Sequence, residues 1–118
     1  MSKSEYVKAI KACDIDDDRV NAIEKVYKTK LEPLVKKIVS YADQADFFDD
    51  ERRAISYIEI YNPLRNMGFD FVKQGLIPFV DLYDNSYAVY VIATKKWGCF
   101  NTIDGMLYEE FESMEEAF

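Results

Sequence analysis

GLIPFVDLYDNSYAVYV, residues 75–91, reads as a β-hairpin. Two runs rich in β-branched and aromatic residues flank a short polar turn, Asp84-Asn85-Ser86. The second run is apolar on both faces, which places it inside a sheet rather than at an edge. Yet Asp81, Asp84 and several tyrosines surround the turn. The stretch is therefore either part of a site or simply sheet core, and the surrounding chain has to decide.

Downstream, a further strand is expected over about 97–103, after a Thr94-Lys95-Lys96 turn, so three strands span about 76–83, 87–93 and 97–103. The last segment, ESMEEAF, carries a capping box, Ser113 with Glu116 three residues on, and predicts a short helix. Upstream, ISYIEIY at 55–61 alternates, with Ile58 and Ile60 facing one way and Tyr57, Glu59 and Tyr61 the other. That predicts a strand with one half-wet face. NPLRNMGFDFVKQG restores helix signals: Asn62 can cap, Pro63 suits a first turn and Gly75 a stop, while Gly68 weakens the middle.

The N-terminal third is helical by period. Tyr6, Ile10 and Cys13 lie about a turn apart, as do Val20, Ile23, Val26 and Tyr27. The DIDDD run, 14–18, favours the start of the second helix, with Asp18 as a cap. Pro33 opens a third helix with Leu34, Val35, Ile38, Val39 and Ala42 on its apolar face. Helices first, then strands joined by tight turns, predict an α+β fold: an antiparallel or mixed sheet of four to six strands with helices packed on one face. The expectation is a single domain over 1–118, with helices over about 4–43 and strands and short helices over about 55–118.

Much chemistry is unavailable to this chain. It has no histidine, which removes the usual general base near neutral pH, the commonest metal ligand and the histidine-based nucleophile triads. Asp14, Asp16 and Asp18 fit positions 1, 3 and 5 of a calcium loop, but Arg19 and Lys25 stand where glycine and glutamate are needed. The four glycines make no phosphate loop. Cys13 and Cys99 match no metal or redox spacing. With a charged, amphipathic start and no run near ~20 apolar residues, no signal peptide or membrane span is expected, which suits reduced thiols in a cytoplasm. No cofactor is expected. Carboxylate-pair catalysis by Glu59, Asp81 and Asp84 stays open, against the commoner reading of these groups as solvated surface.

Charge and aromatic content each allow a binding reading beside a plainer one, an acidic surface that only keeps the chain in solution. The chain carries 15 basic and 22 acidic residues, net -7. Residues 1–40 hold 9 basic and 7 acidic residues, so the excess lies in 41–118, a field that repels nucleic acid and anionic lipid and suits a basic partner. Nine tyrosines, eight phenylalanines and one tryptophan make 15 % of the chain, a high load, and many of them must be core. Phe69, Phe71, Phe79 and Tyr90 are natural core residues. Tyr57, Tyr61, Tyr83, Tyr87 and Trp97, interleaved with Glu59, Asp81 and Asp84, make either a protein-binding face or the rim of an aromatic core.

Three segments, AIEKVYKTKLEPLVKKIVSY, ISYIEIYNPLRNMGFDFVKQGLIPFVDLYDNSYAVYVI and WGCFNTIDGMLYEEFESMEEAF, together resemble the SUKH superfamily. Its members include yeast cell-wall synthesis regulators and bacterial immunity proteins that neutralise polymorphic toxins. Leu31-Glu32-Pro33 looks like the family's second-to-third helix junction. Leu76–Phe79 looks like its central strand motif, and YEEFESMEEAF like its closing aromatic-acidic helix. The family's turn after the central strand is usually glycine-rich; here it is Tyr83-Asp84-Asn85-Ser86. The resemblance implies a cytoplasmic bacterial protein without enzymatic activity. It implies neutralisation of a nuclease or deaminase toxin by binding; with the acidic and aromatic pattern above, a basic toxin domain and contact through Tyr57, Glu59, Tyr61, Asp81, Tyr83, Asp84 and Trp97 are expected. The alternative is a scaffold or regulator of the same fold.

Overall fold

The computed structural model describes residues 2–43 and 49–118. Residues 1 and 44–48, which the single-domain expectation includes, lie outside the described residues. The fold is α+β. Three helices come first: α1 (Lys3–Ala12), α2 (Asp17–Tyr27) and α3 (Pro33–Tyr41). A two-residue strand β1 (Arg53–Ala54) and three short helices follow: α4 (Tyr57–Tyr61), α5 (Pro63–Met67) and α6 (Phe71–Gln74). Four strands complete a meander: β2 (Leu76–Asp81), β3 (Ser86–Val91), β4 (Lys96–Asn101) and β5 (Met106–Phe111). A closing 3-10 helix spans Met114–Ala117. The five strands are antiparallel and lie side by side in chain order.

The opening stretch forms the hairpin it predicts, β2 to β3, with Leu76 opposite Val91 and Asp81 opposite Tyr87. Its turn is unusual. Tyr83, Asp84 and Asn85 all sit at positive φ, +62°, +50° and +66°. This is backbone that glycine takes freely and that costs other residues roughly 1–2 kcal/mol each. Local bonds hold it: Tyr83 N–H donates to Asp81 Oδ1 at 2.8 Å, and the Leu82 N–H to the Ser86 carbonyl at 2.9 Å.

Two apolar layers flank the sheet. On one face Ile77, Phe79, Ala88, Tyr90 and Trp97 join the buried faces of α1–α3, with Tyr6, Ile10, Ile23, Val35 and Val39 almost fully enclosed. On the other, Leu76, Val89, Val91 and Phe100 lie under Phe71 of α6, with Phe69 and Leu107 beside them. Helical cover is thus thick on the first face and confined to the short α5–α6 segment on the second. The only polar side chain buried among the described residues, Ser40, donates to the Lys36 carbonyl and accepts the Asp16 N–H.

Several expectations need correcting. Residues 57–61 are a helix, not a strand. Ser56 caps it, accepting the Glu59 N–H while the Glu59 carboxylate accepts the Ser56 N–H. This reciprocal cap outweighs the alternation of ISYIEIY. Ile58 is consequently 61 % exposed and Ile60 is fully buried. The expected helix over 62–75 is two helices, because Gly68 ends α5 in a left-handed conformation at φ +75°. Asp16, not Asp18, caps α2. The closing segment is a 3-10 turn in which Ser113 Oγ donates to Glu116 rather than capping the backbone.

The start of YEEFESMEEAF, which the resemblance reads as a closing helix, is instead the end of strand β5, Met106–Phe111. This strand is an edge, mostly exposed, and a bulge beside Tyr108 interrupts its pairing with β4. The bulge and the exposed Glu109 and Glu110 guard that edge against pairing with another strand.

Candidate functional site

The seven residues expected to make one contact face divide into four places. Trp97 leaves the face altogether: it is 6 % exposed and packs edge-on against Phe79 and Tyr90 at 5.4 and 5.0 Å. Inward alternation along β4 puts its large ring in the main core, where its area contributes more than at the surface.

Glu59 and Asp81 are brought together, but by an arginine. Arg53 on β1 donates to both Glu59 oxygens at 2.9 Å and to Asp81 Oδ2 at 3.1 Å. Ser56 Oγ adds a bond to Glu59 at 2.8 Å. The carboxylate side chains are 15 % and 13 % exposed, so these groups form an internal clamp joining α4, β1 and β2 rather than an open acidic face. Burial alone would raise the Glu59 pKa; hydrogen bonds from Arg53 and Ser56 outweigh it and leave the carboxyl below its ordinary value of 4.5. The Arg53 guanidinium is held more firmly charged, first by its bonds to Glu59.

Two measurable consequences follow from the clamp. Arg53→Met leaves two half-shielded carboxylates without a cation and is expected to cost about 2 kcal/mol in urea unfolding, less than a fully buried pair because water still reaches it. Glu59 is depressed in the folded state. Its stabilising contribution is therefore complete above that ordinary unfolded value and is lost as pH falls through the lower folded one. Glu59→Gln should flatten the acid side of the stability–pH curve below that point and leave the slope near neutrality unchanged.

Tyr57 and Tyr61 lie one turn apart on α4, ring centroids 6.0 Å apart. Tyr57 is half-buried under the Arg19 guanidinium, 4.4 Å from its ring centroid, a cation–π contact. Tyr61 is 44 % exposed and continues into Leu64, 58 % exposed, and back to Ile58. Shallow depressions of about 260 and 350 Å³ border this ridge; Val26 and Val72 help to line the larger. Sequence reading missed Ile58 and Leu64. The capping box Ser56-x-x-Glu59 was the available signal, since a helix there turns Ile58 away from Ile60.

Tyr83 and Asp84 stand apart from both, on the strained turn of the hairpin, and both are exposed. They border a groove described below. Among the described residues no cluster of histidine, cysteine, aspartate and glutamate could hold a metal, and no helix is long and apolar enough to cross a membrane.

The chain has no match among protein-family models, curated proteins or solved structures.

Proposed function

We propose that this chain is a non-enzymatic binding protein that neutralises a basic toxin domain, of the nuclease or deaminase class, by docking on it in a bacterial cytoplasm. The SUKH resemblance supplies the class of partner. The observation that carries the binding reading is the α4–α5 ridge, where Ile58, Tyr61 and Leu64 present adjacent apolar surface to solvent. Tyr61 is of the type enriched among interface anchors, a large stiff ring with a polar tip, and Ile58 and Leu64 extend its apolar surface on either side. The acidic balance of residues 41–118 would speed encounter with a basic domain.

The clamp weighs against an acid–base role for the same region. A general acid working near neutrality needs a raised pKa, and Glu59 is held lower by a bidentate arginine.

The test is capture, at low and high salt, of the toxin domain encoded beside this chain's gene. Ile58→Asp combined with Leu64→Asp is expected to weaken capture about thirtyfold or more while leaving the melting temperature nearly unchanged, because both side chains are exposed. Failure to capture any basic toxin domain overturns the reading; capture of several unrelated native partners turns it toward a regulatory scaffold. Charge reversal at Glu59 or Asp81 would act through Arg53 on stability and says little about the interface.

A further inference from the structure

The sheet face that carries the main core is not covered to its end. The helices and the closing 3-10 turn lie over Phe79, Tyr90 and Trp97. Toward the β2–β3 turn, a groove of about 680 Å³ opens over Leu82, Tyr83, Phe111 and Cys99. Four carboxylates help to line it: Asp50, Glu51, Asp84 and Glu116. Among the described residues none of the four is in an ion pair, and the one cation in the lining, Arg52, is held by Asp49 at 2.9 Å.

We infer that this groove receives an arginine or lysine side chain from an extended basic segment of the protein partner. The match is chemical on both counts. A long cationic side chain lays an aliphatic stem along apolar surface and keeps its charged head outward. Here aromatic and aliphatic side chains line the groove together with carboxylates that carry no ion pair, so one long side chain can meet both. Tyr83 adds a ring face that attracts a guanidinium. Asp84 and Tyr83 both sit on the left-handed turn, so one ring and one charge of the groove are placed by the same local backbone. The identity of the partner rests on the binding reading above; the preference for a cation does not, and the ridge is a separate surface.

The probe is an acetylated, amidated hexa-arginine titrated calorimetrically into the full chain, in three versions. These are the unmodified protein, a groove triple variant Asp50→Asn, Asp84→Asn and Glu116→Gln, and a charge-matched control Asp14→Asn, Asp17→Asn and Asp18→Asn. The groove variant should bind about tenfold more weakly and the control within about twofold of the unmodified protein. Cysteine alkylation locates the peptide independently: Cys99 lines the groove and Cys13 does not. Saturating peptide should slow modification at Cys99 and leave Cys13 at its own rate. Equal weakening of both triple variants, or an unprotected Cys99, overturns the assignment by reducing it to the general pull of an acidic protein. Such a failure leaves toxin capture through Ile58 and Leu64 untouched. Peptide in the groove without toxin capture would keep the cation site and remove the toxin.

Discussion

Phe71→Ala is expected to lower the unfolding free energy by about 4 kcal/mol. Phe71 has no exposed surface, and its ring meets Phe69, Tyr87 and Phe100 at centroid distances of 4.9, 5.2 and 6.1 Å. It is the main apolar anchor of α6, a four-residue helix that could not persist in isolation. Removing the ring leaves a cavity whose floor is a hydrogen-bonded sheet, which collapses poorly, so the cost belongs in the upper part of the range for such truncations. Phe69, half-buried at the edge of the same cluster, provides the comparison: Phe69→Leu should cost about 1 kcal/mol. Equilibrium unfolding in urea measures both. The effect should also reach function. α6 and α5 continue directly into the ridge, so Phe71→Ala should weaken partner capture without touching the partner. A loss below about 1 kcal/mol for Phe71→Ala would mean that the second face of the sheet is not packed as described.

Gly98→Val should cost about 3 kcal/mol, at the upper end for overpacking. Gly98 sits on β4 opposite Glu110, next to the β5 bulge. A Cβ added there would lie 2.6 Å from Leu107 Cδ1 and 2.7 Å from the Glu109 carbonyl oxygen. The leucine can rotate away. The carbonyl cannot, because it belongs to the strand backbone, so β5 has to move outward and give up pairing. Gly98→Ala already brings the Cβ against the Glu109 carbonyl and should cost most of this, roughly 2 kcal/mol, the valine methyls adding the rest. Besides the unfolding midpoint, amide exchange should rise selectively over 106–111 in the valine variant. Uniformly raised exchange would place the damage elsewhere. Against a typical total of about 5–15 kcal/mol, either substitution alone removes a large share of the stability.

The hairpin and the three long helices could be read from sequence because each carries its own local pattern. β3 is a continuous buried run, 88–91, bounded by turn residues, and buried positions recur at helical spacing in α1–α3. β5 could not. MLYEEF has no continuous apolar face, and what makes it a strand is its pairing to β4, which no local pattern encodes. Residues 55–61 carried two signals at once, alternation and a capping box, and the cap governs because it satisfies backbone donors that alternation leaves open.

The contact face failed to hold together for a different reason. Asp81 and Glu59 look like free surface charge until Arg53, distant from Asp81 in sequence, is seen between them. Trp97 looks like an anchor at a turn until the alternation of β4 points it inward. Conversely, Ile58 and Leu64 look like core by type and are surface by geometry. Tyr61, Tyr83 and Asp84 remain where exposure was expected.

The order of elements has a consequence for how the chain is made. Residues 3–41 supply three amphipathic helices whose apolar sides are closed by strands that the ribosome produces only after residue 76. During that interval these helices have nothing from the sheet to lie against. The meander itself pairs only neighbours and assembles quickly once synthesised. Nascent chains halted before residue 76 should therefore engage holding chaperones, and those extended through β4 should let go of them.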